Sequence, residues 1–218
     1  MFLIHTKIIV FWGITMLKKI SLFISLMFIF FSFVNAQTAK STLDGMMQSY
    51  NGEMNASSMY AEFAKKSQNK SVATMFKAAS AAEAIHAKLL NDMAISNKLT
   101  TKPLTAKIDP VKTSTDNEHL KAGIKGETYE YTKMYPAFSK VAMAEGNKDV
   151  ANLMNMIASV EKTHAQLYDK TMRDLAAGKG LPEGYYVCPV CGYIEKGSSP
   201  DTCPICNAAG STFQAFLS

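Results

Sequence analysis

Two Glu-x-x-His motifs constrain this chain most: Glu83-Ala-Ile-His86 and Glu161-Lys-Thr-His164. Residues three apart lie on one face of a helix, so each motif aims a carboxylate and an imidazole at the same point. Both sit in segments where Met, Ala, Leu and Phe recur at steps of three and four, the period of an amphipathic helix. Such segments cover about 42–67, 72–96, 117–145 and 148–177. The first carries Glu53, and the third carries Glu127 and Glu130, again three apart. A Glu from each of two helices plus Glu-x-x-His from each of the other two is the ligand recipe of a two-metal carboxylate bundle.

A single Glu-x-x-His is common on a solvated helix face. Here Glu83 lies in an otherwise uncharged stretch, 78–85, and Glu53 is also flanked by uncharged residues. Buried carboxylates require compensating positive charge, which paired metal ions supply. The chain has only 4 His, and two of them complete the motifs. His119 reads as a solvated residue opening the third helix, and His5 falls near the N-terminus. Tyr60 lies two turns after Glu53 and Tyr135 five residues after Glu130. Each is placed to hydrogen-bond a liganding carboxylate or to be an ordinary core tyrosine. Met143, Met154 and Met156 read as core.

Connection lengths set the topology. The first and second helices are joined tightly, Asn69 ending the first, and so are the third and fourth, with Gly146 between them. The second and third are separated by a long stretch, about 97–116, containing Pro103 and Pro110. One long crossover in a four-helix bundle is the ferritin-like arrangement. Ser41 with Asp44 and Thr115 with Glu118 resemble capping boxes at two helix starts. After a Gly- and Pro-containing linker, 178–184, the composition changes. Residues 185–218 hold all 4 Cys and too few apolar residues to fold without a metal or crosslink.

Those cysteines read Cys188-Pro-Val-Cys191-Gly and Cys203-Pro-Ile-Cys206-Asn. Paired Cys-x-x-Cys knuckles bring four thiolates to one ion, and Gly192 and Asn207 stand where each turn needs a positive φ. Spacing alone leaves iron and zinc open, since tetrahedral sulfur sites accept both, and leaves two disulfides as a further alternative.

The N-terminus reads as a targeting segment, 1–36: Lys18 and Lys19, an apolar run from Ile20 to Val34, then Val34-Asn35-Ala36 as a small-residue cleavage site. Residues 8–16 are also apolar, which places translational start at Met1 or at Met16. Export, to a bacterial periplasm, is expected, with no membrane span left after cleavage; an uncleaved segment would instead anchor the chain. The formal charge of +5 includes Lys7, Lys18 and Lys19 of this segment. No basic run with interleaved aromatics marks a nucleic-acid surface.

Together these motifs resemble the rubrerythrin family: Gly52-Glu53 with Tyr60, Glu83-x-x-His86, Gly126-Glu127-Thr-Tyr-Glu130 with Met134-Tyr135-Pro136, Glu161-x-x-His164 with Tyr168, and the two knuckles, over about residues 41–217. The resemblance implies a mainly α chain, a ferritin-like di-iron bundle at 37–177 and a rubredoxin-like one-iron domain at 185–218. It implies Glu53, Glu83, Glu127, Glu130, Glu161 and His164 as ligands, with Glu83 and Glu127 bridging, and an exchange of Glu130 for His86 on reduction. Tyr60 and Tyr135 match tyrosines that bond the ligands. The implied activity is reduction of hydrogen peroxide to water, with electrons entering through the four-cysteine iron, in a homodimer that sets that domain of one chain against the di-iron site of the other. Rubrerythrins are mostly cytoplasmic, so export leaves the electron donor unidentified. Ferroxidase or iron-storage activity is the alternative within the same chemistry. A zinc-holding stress protein without turnover is the alternative outside it.

Overall fold

The computed structural model describes residues 39–218. The expected targeting segment, 1–36, lies outside the described residues. No helix among the described residues is long and apolar enough to cross a membrane.

The helices are α1 (Thr42–Lys66), α2 (Lys70–Ser96), α3 (Asp116–Tyr129), α4 (Tyr135–Ala144) and α5 (Lys148–Ala176). Ser41 caps α1 by accepting from the Asp44 N–H, and Thr115 caps α3 by accepting from the Glu118 N–H. Asn69 does not end α1. It caps α2, its side-chain oxygen accepting from the Ser71 and Val72 N–H groups, which satisfies two donors of the first turn. The crossover between α2 and α3 is held by asparagine side chains: Leu104 N–H donates to Asn91, Lys107 N–H to Asn51 and Asp109 N–H to Asn55.

The third helix of the sequence reading is interrupted. Residues Glu130–Met134 form a π turn between α3 and α4. Pro136 has no N–H to continue the α ladder, and the Tyr135 N–H reaches the Glu130 carbonyl five residues back. The sequence pattern reads as one helix through this proline, although proline is a common cause of a helix kink. The one-residue shift accompanies a Tyr135 that is buried and bonded to Glu53.

Three short strands follow, β1 (Gly184–Val187), β2 (Ile194–Lys196) and β3 (Gln214–Leu217), antiparallel in the order β2-β1-β3. This small sheet shares an apolar cluster with the bundle: Tyr185, Val187 and Ile194 pack with Val72, Met75, Phe76 and Ala79. The Tyr185 hydroxyl lies 3.1 Å from Ser71 Oγ. The 178–184 stretch thus joins two parts that have a common core. A second cluster, with Met46, Leu90, Tyr135, Phe138, Met154 and Ile157, fills the other end of the bundle.

Two expectations fail at the surface. Met143 is exposed rather than core. His119 is buried rather than solvated, stacked on Phe63 with ring centroids 4.1 Å apart, and its Nε2 accepts from the Ser114 N–H at 2.8 Å. Burial holds its pKa below the ordinary histidine value, Asp116 acting weakly the other way. A depressed folded pKa means that the unfolded chain takes up this proton first, so stability is lost as pH falls below about 6.5. Wild type should therefore lose more melting temperature between pH 7 and pH 5 than His119→Phe does. Parallel slopes in thermal scans would show that His119 does not carry this dependence.

Candidate metal centres

The helix period delivers Glu53 from α1, Glu83 and His86 from α2, Glu127 from α3, and Glu161 and His164 from α5 to one buried region; none of the six is more than 2% exposed. Two groups of four ligand atoms form there, Glu53, Glu83, His86 and Glu161, and Glu83, Glu127, Glu161 and His164. Glu83 and Glu161 belong to both groups, whereas the resemblance implied Glu83 and Glu127 as the shared pair. Glu130 belongs to neither. It is half-buried, at the edge of the site, and His86 stands in the first group.

His86 Nδ1 lies 2.7 Å from Glu161 Oε1, and His164 Nδ1 lies 2.8 Å from Glu161 Oε2. Neither contact has hydrogen-bond alignment. Glu53 Oε2, Glu83 Oε1, both Glu161 oxygens and His164 Nδ1 are buried without a hydrogen-bond partner among the described residues. Unpartnered buried lone pairs that converge are what metal ions satisfy. The charge agrees: four buried carboxylates against two imidazoles leave the cluster short of positive charge even with both rings protonated.

Burial, opposed by a hydrogen bond from His86, pushes Glu53 up to about 8. Burial and neighbouring carboxylates, Glu83 first, hold Glu127 well above the carboxylate range; for Glu130 the neighbours are led by Glu53. Burial would also raise Glu83, but His164 and His86 outweigh it and bring it below that range. Burial would lower His164, but Glu161 and Glu83 raise it to about 10.

Tyr60 and Tyr135 both bond ligand carboxylates. The Tyr60 hydroxyl donates to Glu127 Oε1, and the Tyr135 hydroxyl donates to Glu53 Oε1. Tyr168 stacks against His164 with centroids 6.3 Å apart. Gly123 makes room for that ring, since a Cβ there would lie 2.8 Å from Tyr168 Cδ2.

The four cysteines also converge. Cys188 and Cys206 sulfurs are 3.5 Å apart and Cys191 and Cys203 sulfurs 3.6 Å, far beyond a bonded 2.05 Å. Metal–sulfur bonds of about 2.3 Å give a tetrahedron edge of roughly 3.8 Å, so the donor set fits a single ion. Backbone N–H groups of Val190 and Cys191 point to Cys188 Sγ, and those of Ile205 and Cys206 to Cys203 Sγ. Gly192 has φ +81° and Asn207 φ +61°, as the knuckle turns require.

What spacing could not show is where the first knuckle sits. Its backbone covers the two histidines: His86 Nε2 is 2.9 Å from the Cys191 carbonyl oxygen and His164 Nε2 is 3.1 Å from that of Gly192. With each Nε2–H donating to a carbonyl, each Nδ1 is left facing the carboxylates as a ligand. The resemblance implied such proximity between two chains; here it is made within one.

Comparison with known proteins follows the same division. A family pattern described as Rubrerythrin matches residues 44–172, and one described as Rubrerythrin, rubredoxin-like domain, matches 186–214. Nigerythrin of Nitratidesulfovibrio vulgaris is 34% identical over 182 residues, covering 81% of this chain and 87% of its own. Rubrerythrin-2 of Clostridium acetobutylicum is 28% identical over 186 residues, covering 84% and 98%. The solved structure of partially reduced nigerythrin superposes with a TM-score of 0.74 at 31% identity, over 84% of this chain and 91% of that one. The family has a di-iron centre and a rubredoxin-like iron site, and the carboxylate–histidine cluster and four cysteines described above correspond to them. With both halves matched in order and both sets of donor residues in place, this chain belongs to the rubrerythrin family.

Proposed function

We propose that this protein is a non-haem di-iron peroxidase that reduces hydrogen peroxide to water and takes its electrons through the four-cysteine iron. The observation that carries this reading is the seating of the Cys191–Gly192 backbone on His86 and His164. It puts a one-electron site in hydrogen-bond contact with a two-metal site.

When bound, the two irons supply two electrons together and the four-cysteine iron replaces them singly. The residues of the chain do the rest. Glu83 and Glu161, which belong to both groups of donors, would hold both metals. Peroxide needs two protons to become water, and Tyr60 and Tyr135 hold hydroxyl protons at Glu127 Oε1 and Glu53 Oε1. His86 and His164 are fixed in the Nε2–H tautomer by the knuckle carbonyls. Burial keeps bulk water from the carboxylates. A homodimer in which knuckles also serve a partner's bundle is compatible with these contacts and belongs to the same proposal.

The test mixes chemically reduced, iron-loaded protein with hydrogen peroxide and, separately, with oxygen. Peroxide should re-oxidise the di-iron centre faster, by roughly tenfold or more, with iron retained and the red colour of the oxidised four-cysteine site following. Equal rates with accumulation of ferric mineral would establish a ferroxidase instead. No acceleration over free ferrous iron would leave only metal binding.

A further inference from the structure

Tyr168 on α5 is fully buried, and its hydroxyl has no aligned hydrogen-bond partner among the described residues. A buried tyrosine hydroxyl usually finds one, and one that does not calls for an explanation in strain, in a bound water or in chemistry. Its surroundings are specific. The ring stands one turn after His164 and stacks on it, with the planes 24° apart. It meets the Tyr60 ring edge-on, with centroids 5.6 Å apart at 66°. Tyr60 is also the hydrogen-bonding side chain that bears on the Tyr168 hydroxyl, and its own hydroxyl is committed to Glu127 Oε1.

α3 gives up a side chain to let these two rings meet. A Cβ on Gly123 would lie 2.8 Å from Tyr168 Cδ2 and 3.5 Å from the Tyr60 hydroxyl oxygen. Glycine is among the poorest helix formers, so its place here serves the pair. Behind the pair stands Phe76, stacked on Tyr60 at 5.6 Å and tilted against Tyr168 at 5.8 Å. Phenylalanine has no proton to pass on. The two hydroxyls therefore lead from Glu127 into a closed aromatic cluster. Such an arrangement does not conduct protons from solvent; it stores one.

We propose that Tyr60 and Tyr168 form a reserve of one electron and one proton, drawn on when peroxide meets a di-iron centre that holds a single electron. The inference rests on the peroxidase reading above. The need for a reserve follows from that reading, because the four-cysteine iron replaces electrons one at a time. Peroxide takes two electrons and two protons to become two waters. Given one electron and one proton, its O–O bond breaks into water and a hydroxyl radical. With the pair in reach, one electron comes from the centre, one electron and one proton come from the tyrosines, and the second proton comes from water. The Tyr60 proton leaves by way of Glu127 Oε1. Tyr168 then passes its hydroxyl hydrogen to the Tyr60 oxygen, so the unpaired electron ends on Tyr168, one residue removed from the metal ligand and closed to solvent. The next electron from the four-cysteine iron, which goes from ferrous to ferric, restores the hydroxyl with a proton from water.

The test uses iron-loaded wild type, Tyr168→Phe and Tyr185→Phe, the last removing a buried hydroxyl that lies against Ser71 instead of the metal site. Each is given one electron per di-iron centre with limiting dithionite, mixed with hydrogen peroxide and freeze-quenched for electron paramagnetic resonance. Wild type and Tyr185→Phe should show a long-lived tyrosyl radical, its signal narrowed in protein grown on ring-deuterated tyrosine. Tyr168→Phe keeps the ring and its packing but should lose the long-lived signal. Mass spectrometry should find methionine sulfoxide in its place, first at Met75, which shares the Tyr168 cluster. Signals are compared per bound iron, so a change in metal loading does not imitate the effect. A long-lived signal undiminished in Tyr168→Phe would overturn the proposal. So would the absence of any radical in wild type that, fully reduced, still reacts with peroxide. If fully reduced wild type does not react with peroxide at all, the peroxidase reading fails and the reserve with it.

Discussion

Gly192→Asn is expected to keep the four-cysteine iron and to slow its exchange of electrons with the di-iron centre by about fivefold to a hundredfold. Asparagine tolerates the left-handed backbone, and it already serves at the equivalent place in the second knuckle, Asn207 at φ +61°. The turn itself should survive. What cannot survive is the docking. A Cβ on Gly192 would lie 2.4 Å from His86 Nε2 and 3.2 Å from the Ala82 carbonyl oxygen, which is backbone and cannot yield cheaply. Overpacking of this kind costs about 1–3 kcal/mol, and each 1.4 kcal/mol is a tenfold loss of the docked population. Stopped-flow measurement of the red colour returning after peroxide oxidises the reduced protein would read this directly. Return at the wild-type rate would mean that electrons do not cross the Cys191–His86 contact. If the contact works only between chains, mixtures of Gly192→Asn with a bundle-dead variant would still show transfer.

The second large effect separates Glu161 from His86. Glu161 supplies an oxygen to each group of four, while His86 belongs to one. Glu161→Ala should reduce the bundle's iron from about two per chain towards none, because losing a ligand costs more than the tenfold to hundredfold of losing a group behind one. His86→Ala leaves Glu83, Glu127, Glu161 and His164 intact and should keep at least one iron. Iron analysis of the oxidised proteins, with the four-cysteine iron as internal standard, distinguishes the two. Equal losses would show that His86 is as permanent a ligand as Glu161.

Glu130 connects these results. Its half-buried place outside both groups, with His86 inside one, is the arrangement that the family resemblance assigns to the reduced state.

Much of this was already present in the order of the residues. The Glu-x-x-His spacing determined which face of each helix would carry ligands, because the helix period is a local property. The short and long connections determined the bundle topology, Ser41 and Thr115 marked two helix starts, and the positive φ at Gly192 and Asn207 followed from the knuckle motif. Contacts between residues remote in the chain were decided only by tertiary packing. The third helix reads as one uninterrupted segment, 117–145, in sequence; the π turn at Glu130–Met134 and the turn of Tyr135 onto Glu53 on α1 belong to the folded structure. His119 has a polar neighbourhood in sequence and an aromatic one in space, beside Phe63. That Glu161, from α5, joins Glu83, from α2, in both groups of donor atoms is likewise a product of packing. The two knuckles look interchangeable as sequence, and only one of them rests on histidines. Spacing specifies direction from a local backbone, whereas what a side chain meets at the end of that direction is set by helices and loops brought together from the whole length of the chain.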